Sequence, residues 1–130
     1  MNMKGIMSHI LIVDDQPYLK ELFSEELMEE GYRVVSVSDA EFLKGYFEDS
    51  KPDLVLLDLY LDGFEGGDIL HYIKRKKPRL PVLIFTAYDS YVDDPRVSQA
   101  DGYVIKSFSN LSGLKEKIVN VIGRKSVNRA

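Results

Sequence analysis

Five short apolar runs constrain the fold more than any other feature of the chain: Ile10-Leu11-Ile12-Val13, Val34-Val35-Ser36-Val37, Leu54-Val55-Leu56-Leu57, Val82-Leu83-Ile84-Phe85 and Tyr103-Val104-Ile105. They are mostly continuous and rich in β-branched residues, the pattern of strands buried on both faces. The intervals carry helical spacing: Leu19, Leu22, Phe23 and Leu27 in the first, Phe42, Leu43, Tyr46 and Phe47 in the second, and Leu111, Leu114, Ile118, Val121 and Ile122 in the last. Boundary signals agree, with Pro17 at an opening helical turn, Gly31 after the helix end and Ser38-Asp39-Ala40-Glu41 spaced as a capping box. Repeated βα units with short connections demand parallel strands and right-handed crossovers, so helices must cover both faces of one sheet. The expected architecture is a three-layer α/β sandwich in which strand and helix alternate five times.

One such sheet is what 130 residues, 45% of them apolar, can bury around a single core. Cysteine is absent, which removes disulfide scaffolds, thiol catalysis, Cys-based zinc sites and iron–sulfur clusters. Seventeen basic against twenty-one acidic side chains leave a net charge of −4, the wrong sign for a domain whose main task is holding nucleic-acid backbone. No apolar run approaches the roughly 18 residues of a membrane span, and Met1-Asn2-Met3-Lys4-Gly5-Ile6 lacks the hydrophobic region of a secretory signal. The expectation is a cytoplasmic protein without membrane insertion, its domain spanning residues 1–123 and a polar tail spanning 124–130.

In open parallel sheets, ligands bind beyond the carboxyl ends of the strands. Here the first run ends in Asp14-Asp15, the third in Asp58, the fourth in Thr86-Ala87 and the fifth in Lys106. Three clustered carboxylates repel one another unless a cation, a lysine or protonation relieves them. Magnesium suits a few carboxylates completed by waters and a substrate phosphate better than calcium does, since calcium recruits more protein oxygens. Asp58, following four apolar residues, stands at the mouth of a low-dielectric sheet, a setting for a nucleophile. A carboxylate can attack a phosphoryl group to give an aspartyl phosphate if cations neutralise the transferring oxygens. The metal and Lys106 supply those charges, while the Thr86 hydroxyl and the Ala87 backbone N–H offer donors to the phosphoryl group.

Over residues 8–122 this pattern resembles the receiver domain of two-component response regulators. The matching residues are Asp14-Asp15, Asp58, Gly66, Thr86-Ala87, Asp101-Gly102 and Tyr103-Val104-Ile105-Lys106. The resemblance implies a flavodoxin-like, doubly wound sheet of five parallel strands in the order 2-1-3-4-5. It implies that a histidine kinase or phosphotransfer protein donates phosphate to Asp58, with Mg2+ held by Asp15, Asp58 and the main-chain carbonyl of Tyr60, and Asp14 acting through water. It also implies a switch in which Thr86 moves toward the phosphoryl group and the ring of Tyr103 turns inward, remodelling the surface for a downstream protein target or a phosphorylation-dependent dimer. Such a switch is a population shift between two packings, biased by phosphate.

Four features depart from the family's usual pattern. Lys106 is followed by Ser107 where the family has proline after a cis bond, and a cis bond to a non-proline residue costs about 2.5–4 kcal/mol. Leu61-Asp62 replaces Met-Pro, and Asp62 is read as a solvated loop acid. The segment between Thr86 and Lys106 is short and contains Asp93-Asp94-Pro95, which predicts a short or irregular fourth helix because proline disrupts a helix interior. Tyr60 and Tyr88, just beyond Asp58 and Thr86, are expected to exclude attacking water and slow self-dephosphorylation.

Other readings fit less well. A haloacid-dehalogenase-type phosphatase needs an acid where Tyr60 stands. An EF-hand built on Asp58, Asp62 and Gly63 would need ligands where Tyr60 and Ile69 stand. His9 and His71 are read as packed or solvent-exposed, and the run Lys74-Arg75-Lys76-Lys77 as the cationic complement of a helix C-terminus. The rival from another class is a pseudo-receiver that binds a partner without being phosphorylated.

Overall fold

The computed structural model describes residues 8–61 and 64–129. Five strands form one parallel sheet: β1 (His9–Val13), β2 (Arg33–Val37), β3 (Leu54–Leu57), β6 (Val82–Thr86) and β7 (Gly102–Ile105), in the order β2-β1-β3-β6-β7. This is the predicted order 2-1-3-4-5. Among the described residues four α-helices accompany it: α1 (Pro17–Glu29), α2 (Ala40–Asp49), α3 (Gly66–Lys76) and α4 (Leu111–Arg129).

Successive side chains of a strand point to opposite faces, so the continuous apolar runs feed two cores. Leu11, Val13, Val55, Leu57, Val82 and Ile84 pack with Leu43 and Phe47 of α2 and Ile69, Leu70 and Ile73 of α3. Ile10, Ile12, Leu54, Leu56, Leu83 and Phe85 pack with Phe23 and Leu27 of α1 and Leu114, Ile118 and Val121 of α4. Edge strand β2 is the least covered, with only Val37 buried.

Helix α1 begins with Pro17 in its first turn and ends in a Schellman motif. Gly31 adopts φ 98°, its N–H donates to Met28 O at 3.0 Å, and Tyr32 N–H donates to Leu27 O at 3.3 Å. Tyr32 and Leu27 lie in the same core cluster, the apolar contact that closes this motif. In α2 the capping residue is Asp39 rather than Ser38: the Asp39 carboxylate accepts from Phe42 N–H at 3.0 Å. Asp caps as well as Ser, and the helix starts one residue later than the box spacing implied. Leu43 and Phe47 form the buried side of α2, and Phe42 lies outside that stripe at 66% exposed.

Two connections are irregular. A short antiparallel hairpin, β4 (Tyr60–Leu61) with β5 (Phe64–Glu65), follows Asp58 and was not anticipated. Between β6 and β7 the short or irregular fourth helix expected from Asp93-Asp94-Pro95 is a 3-10 turn, Pro95–Val97, so that among the described residues four α-helices alternate with the strands. Asp94 accepts from Arg96 N–H at 2.8 Å and Val97 is buried, while Pro95 occupies the first turn and sets its φ. Backbone helix continues through Arg129, beyond the residue where the polar tail was placed. Asp62 and the N-terminal segment lie outside the described residues. Among the described helices none is long and apolar enough to cross a membrane.

Candidate functional site

The sheet itself delivers the site residues. Asp14, Asp58 and Lys106 each stand one residue past a strand end, yet their amides extend the ladder: Asp14 N–H donates to Val37 O at 3.1 Å, Asp58 N–H to Val13 O at 3.0 Å and Lys106 N–H to Thr86 O at 2.6 Å. Backbone hydrogen bonds thus bring residues far apart in sequence to one edge.

Lys106 joins them. Its Nζ pairs with Asp14 Oδ2 and, at 2.8 Å, with Asp58 Oδ2; the side chains are 1%, 2% and 6% exposed respectively. Its Nζ also lies 5.6 Å from the centroid of the Phe85 ring, a residue of the α1/α4-side core. Oxygens of Asp14, Asp15 and Asp58 lie within 4.8 Å of one another. Asp14 Oδ1 accepts from Gln16 N–H at 2.9 Å. Burial pushes the Asp14 carboxyl above the usual carboxylate range; the hydrogen bonds from Lys106 and Gln16 pull the other way without cancelling it.

Thr86 ends β6, next to β3 in the sheet, and its Oγ1 is the one buried side-chain polar atom among the described residues that lacks a hydrogen-bond partner. A buried hydroxyl left unmatched costs stability. Ala87 follows in exposed chain. Tyr103 is partly buried against the α2/α3-side core, and its OH donates to the Tyr88 carbonyl. Tyr88 is 53% exposed. Burial raises the Tyr103 phenol, with Asp89 and Asp58 contributing in the same direction.

The Lys106–Ser107 bond is not cis, since no cis peptide occurs among the described residues, and Lys106 nevertheless turns into the site. A 3-10 turn, Phe108–Asn110, follows it. Gly66 admits another close approach: a Cβ there would lie 2.4 Å from Leu59 Cα, and Gly66 N–H donates to Leu59 O at 2.9 Å. The start of α3 therefore abuts the residue after Asp58. The remaining candidates lie elsewhere. His9 is buried and pairs through Nε2 with the Tyr46 hydroxyl, burial and Arg33 holding its pKa below the ordinary value; His71 is exposed. Lys74, in the last turn of α3, pairs with Asp101 at 2.8 Å and donates to Leu80 O at 2.9 Å.

A five-stranded, doubly wound parallel sheet with acids, a hydroxyl and a lysine gathered at its carboxyl edge defines the receiver class of signalling domains. The chain belongs to the response regulator receiver domain family, which it matches over residues 10–119. Among curated proteins it is 36% identical over 102 residues to the probable transcriptional regulatory protein TcrX of Mycobacterium tuberculosis, covering 77% of this chain and 44% of the relative. It thus spans under half the length of the curated relatives it matches. Among solved structures it is similar to response regulator TrrA of Thermotoga maritima in complex with Mg2+-BeF, with 39% identity, a TM-score of 0.84, and coverage of 88% of this chain and 99% of that one. TrrA in complex with the histidine kinase ThkA matches at 39% identity and a TM-score of 0.82, over 88% and 98% of the two chains. The protein is a receiver domain of two-component signal transduction, which makes it a signalling domain.

Proposed function

We propose that Asp58 is the phosphoacceptor of this receiver, loaded from the phosphohistidine of a histidine kinase or phosphotransfer protein. The observation that supports the reading best is the buried Lys106 ammonium 2.8 Å from Asp58 Oδ2, at the same edge as Thr86 Oγ1, a hydroxyl without a partner. An Asp58 carboxylate oxygen attacks phosphorus, the bond from phosphorus to the donor's imidazole nitrogen breaks, and the imidazole leaves with the electron pair and takes up a proton. Lys106 is placed to shift from the carboxylate to a phosphoryl oxygen. Thr86 Oγ1 and the Ala87 N–H donate to the others, with Thr86 and Tyr103 forming the switch.

Three carboxylates within 4.8 Å are a hard-oxygen donor set that fits magnesium. Asp14, Asp15, Asp58 and the Tyr60 carbonyl would hold it. When bound, the ion neutralises charge on the transferring phosphoryl oxygens. This reading places the protein in the cytoplasm with its donor, and Tyr60 and Tyr88 as rings that slow hydrolysis of the aspartyl phosphate.

Intact mass after incubation with acetyl phosphate and magnesium tests the reading. One added phosphoryl group is expected, absent in Asp58→Asn and without magnesium, and decaying faster in the Tyr60→Asn, Tyr88→Ala double variant. Native protein that gains no mass and is silent to beryllofluoride with magnesium would overturn the assignment of Asp58.

A further inference from the structure

We infer that Asn110 is a positioning residue for Lys106, holding the peptide group from which the lysine projects; the inference rests on the reading of Asp58 as phosphoacceptor. A peptide unit is planar, so fixing both its ends fixes its orientation. In the unit joining Ile105 to Lys106, the Lys106 N–H donates to Thr86 O at 2.6 Å and the Ile105 carbonyl accepts from Asn110 Nδ2 at 3.0 Å. The first bond belongs to the sheet. The second comes from a side chain five residues along the sequence, and through it the β7 end is tied to the turn that precedes α4.

That tie matters because of where the lysine has to go. Lys106 leaves the sheet at its last ladder bond, its Nζ sits at the far end of a four-carbon stem, and its two carboxylate partners belong to β1 and β3 connections. A tilt of the peptide plane would be magnified along that stem. The turn itself is closed by Asn110 N–H donating to Ser107 O at 3.1 Å and by the Ser107 and Ser109 hydroxyls at 2.8 Å, with no cis bond among the described residues. Asn110 immediately precedes α4. At such a place Asp serves a helix at least as well as Asn, yet an aspartate has no donor to give the Ile105 carbonyl.

This difference separates positioning from stability. Phosphorylation rates with acetyl phosphate and magnesium are compared for the native protein, Asn110→Ala and Asn110→Asp, each also in a Lys106→Ala background. Both Asn110 variants are expected to be phosphorylated about threefold to tenfold more slowly, the range one ordinary hydrogen bond corresponds to, while both still unfold in one cooperative transition. In the Lys106→Ala background the same substitutions should change nothing, because the group they position is gone. Native rates in both Asn110 variants, or equal slowing with and without Lys106, would overturn the inference; slowing by Asn110→Asp alone would mark a charge effect and overturn it too. The Lys106 ammonium resonance, read by 15N NMR in the free protein whatever the rates, is expected to be sharp in the native chain and broadened or shifted in Asn110→Ala. An unmoved resonance refutes the positioning role. Absence of phosphorylation in the native protein sinks the phosphoacceptor reading instead.

Discussion

Asp14 shows how the site sets its chemistry against its stability. Its carboxyl is buried beside Asp58, and burial raises its pKa despite the bonds from Lys106 and Gln16. A carboxyl whose folded pKa lies above its unfolded one binds the proton more tightly when folded. Its contribution to stability is therefore full at acid pH and is lost as pH rises from the ordinary carboxylate range through the raised folded value. Asn110 apart, this is the residue where a substitution should most clearly separate the two demands. Asp14→Asn, which resembles the neutral acid, is expected to be more stable than the native protein at neutral pH, with the gap closing as the buffer is acidified. Urea unfolding across a pH series checks this, and a gap that does not change with pH would contradict it. The acids, Thr86 and Lys106 were legible as a group because each ends an apolar run, and run ends of parallel strands share an edge. The lysine's bridge to Asp14 as well as Asp58 was not, since it depends on side-chain reach across the sheet.

At the scale of elements, the contact between α3 and the Asp58 connection has the sharpest consequence. Gly66 lets the helix start lie against Leu59, where a Cβ would be 2.4 Å from Leu59 Cα and 2.7 Å from its carbonyl oxygen. The opposing atoms are backbone, so a methyl group cannot be accommodated by a rotamer change. Gly66→Ala is expected to cost about 1–3 kcal/mol and to slow phosphorylation by displacing the backbone next to Asp58. Chemical denaturation and the mass assay check both parts, and a variant with native stability would show that the helix start yields freely. Gly66 is legible in the sequence as part of the family pattern, but its role depends on two segments meeting in space. The irregular fourth connection was legible, because Pro95 forbids a long helix through it. The hairpin Tyr60–Leu61 with Phe64–Glu65 was not, for two-residue strands carry no periodicity.

For the whole molecule, ligand binding at the carboxyl edge should stabilise every layer, because strands from both sides of the switch point supply the site. Beryllofluoride with magnesium, at about a hundredfold excess over its Kd, adds about 2.7 kcal/mol to a two-state domain and raises Tm by roughly 10 °C. The rise is expected in the native protein and to be lost in Asp58→Asn. An equal rise in both would show that the ligands bind elsewhere. Such a measurement reads all elements at once, since the two cores share one sheet and neither helix pair has its own.

What the amino-acid order determined alone was the class of structure: apolar runs of strand length, helical spacing between them and no cysteine leave a doubly wound sheet with acids at its carboxyl edge. Local grammar settled the end of α1, where Gly31 takes a left-handed φ that other residues avoid. Tertiary structure decided what depends on distances between remote segments. It set which acids Lys106 meets, gave the turn that presents the lysine through a trans bond before Ser107, left Phe42 outside the core, and left Thr86 Oγ1 buried without a partner. The physical reason is one of range: hydrogen-bond periodicity and capping act within a few residues, whereas the pairing of charges and the burial of a hydroxyl are settled only when strands far apart in the chain lie side by side.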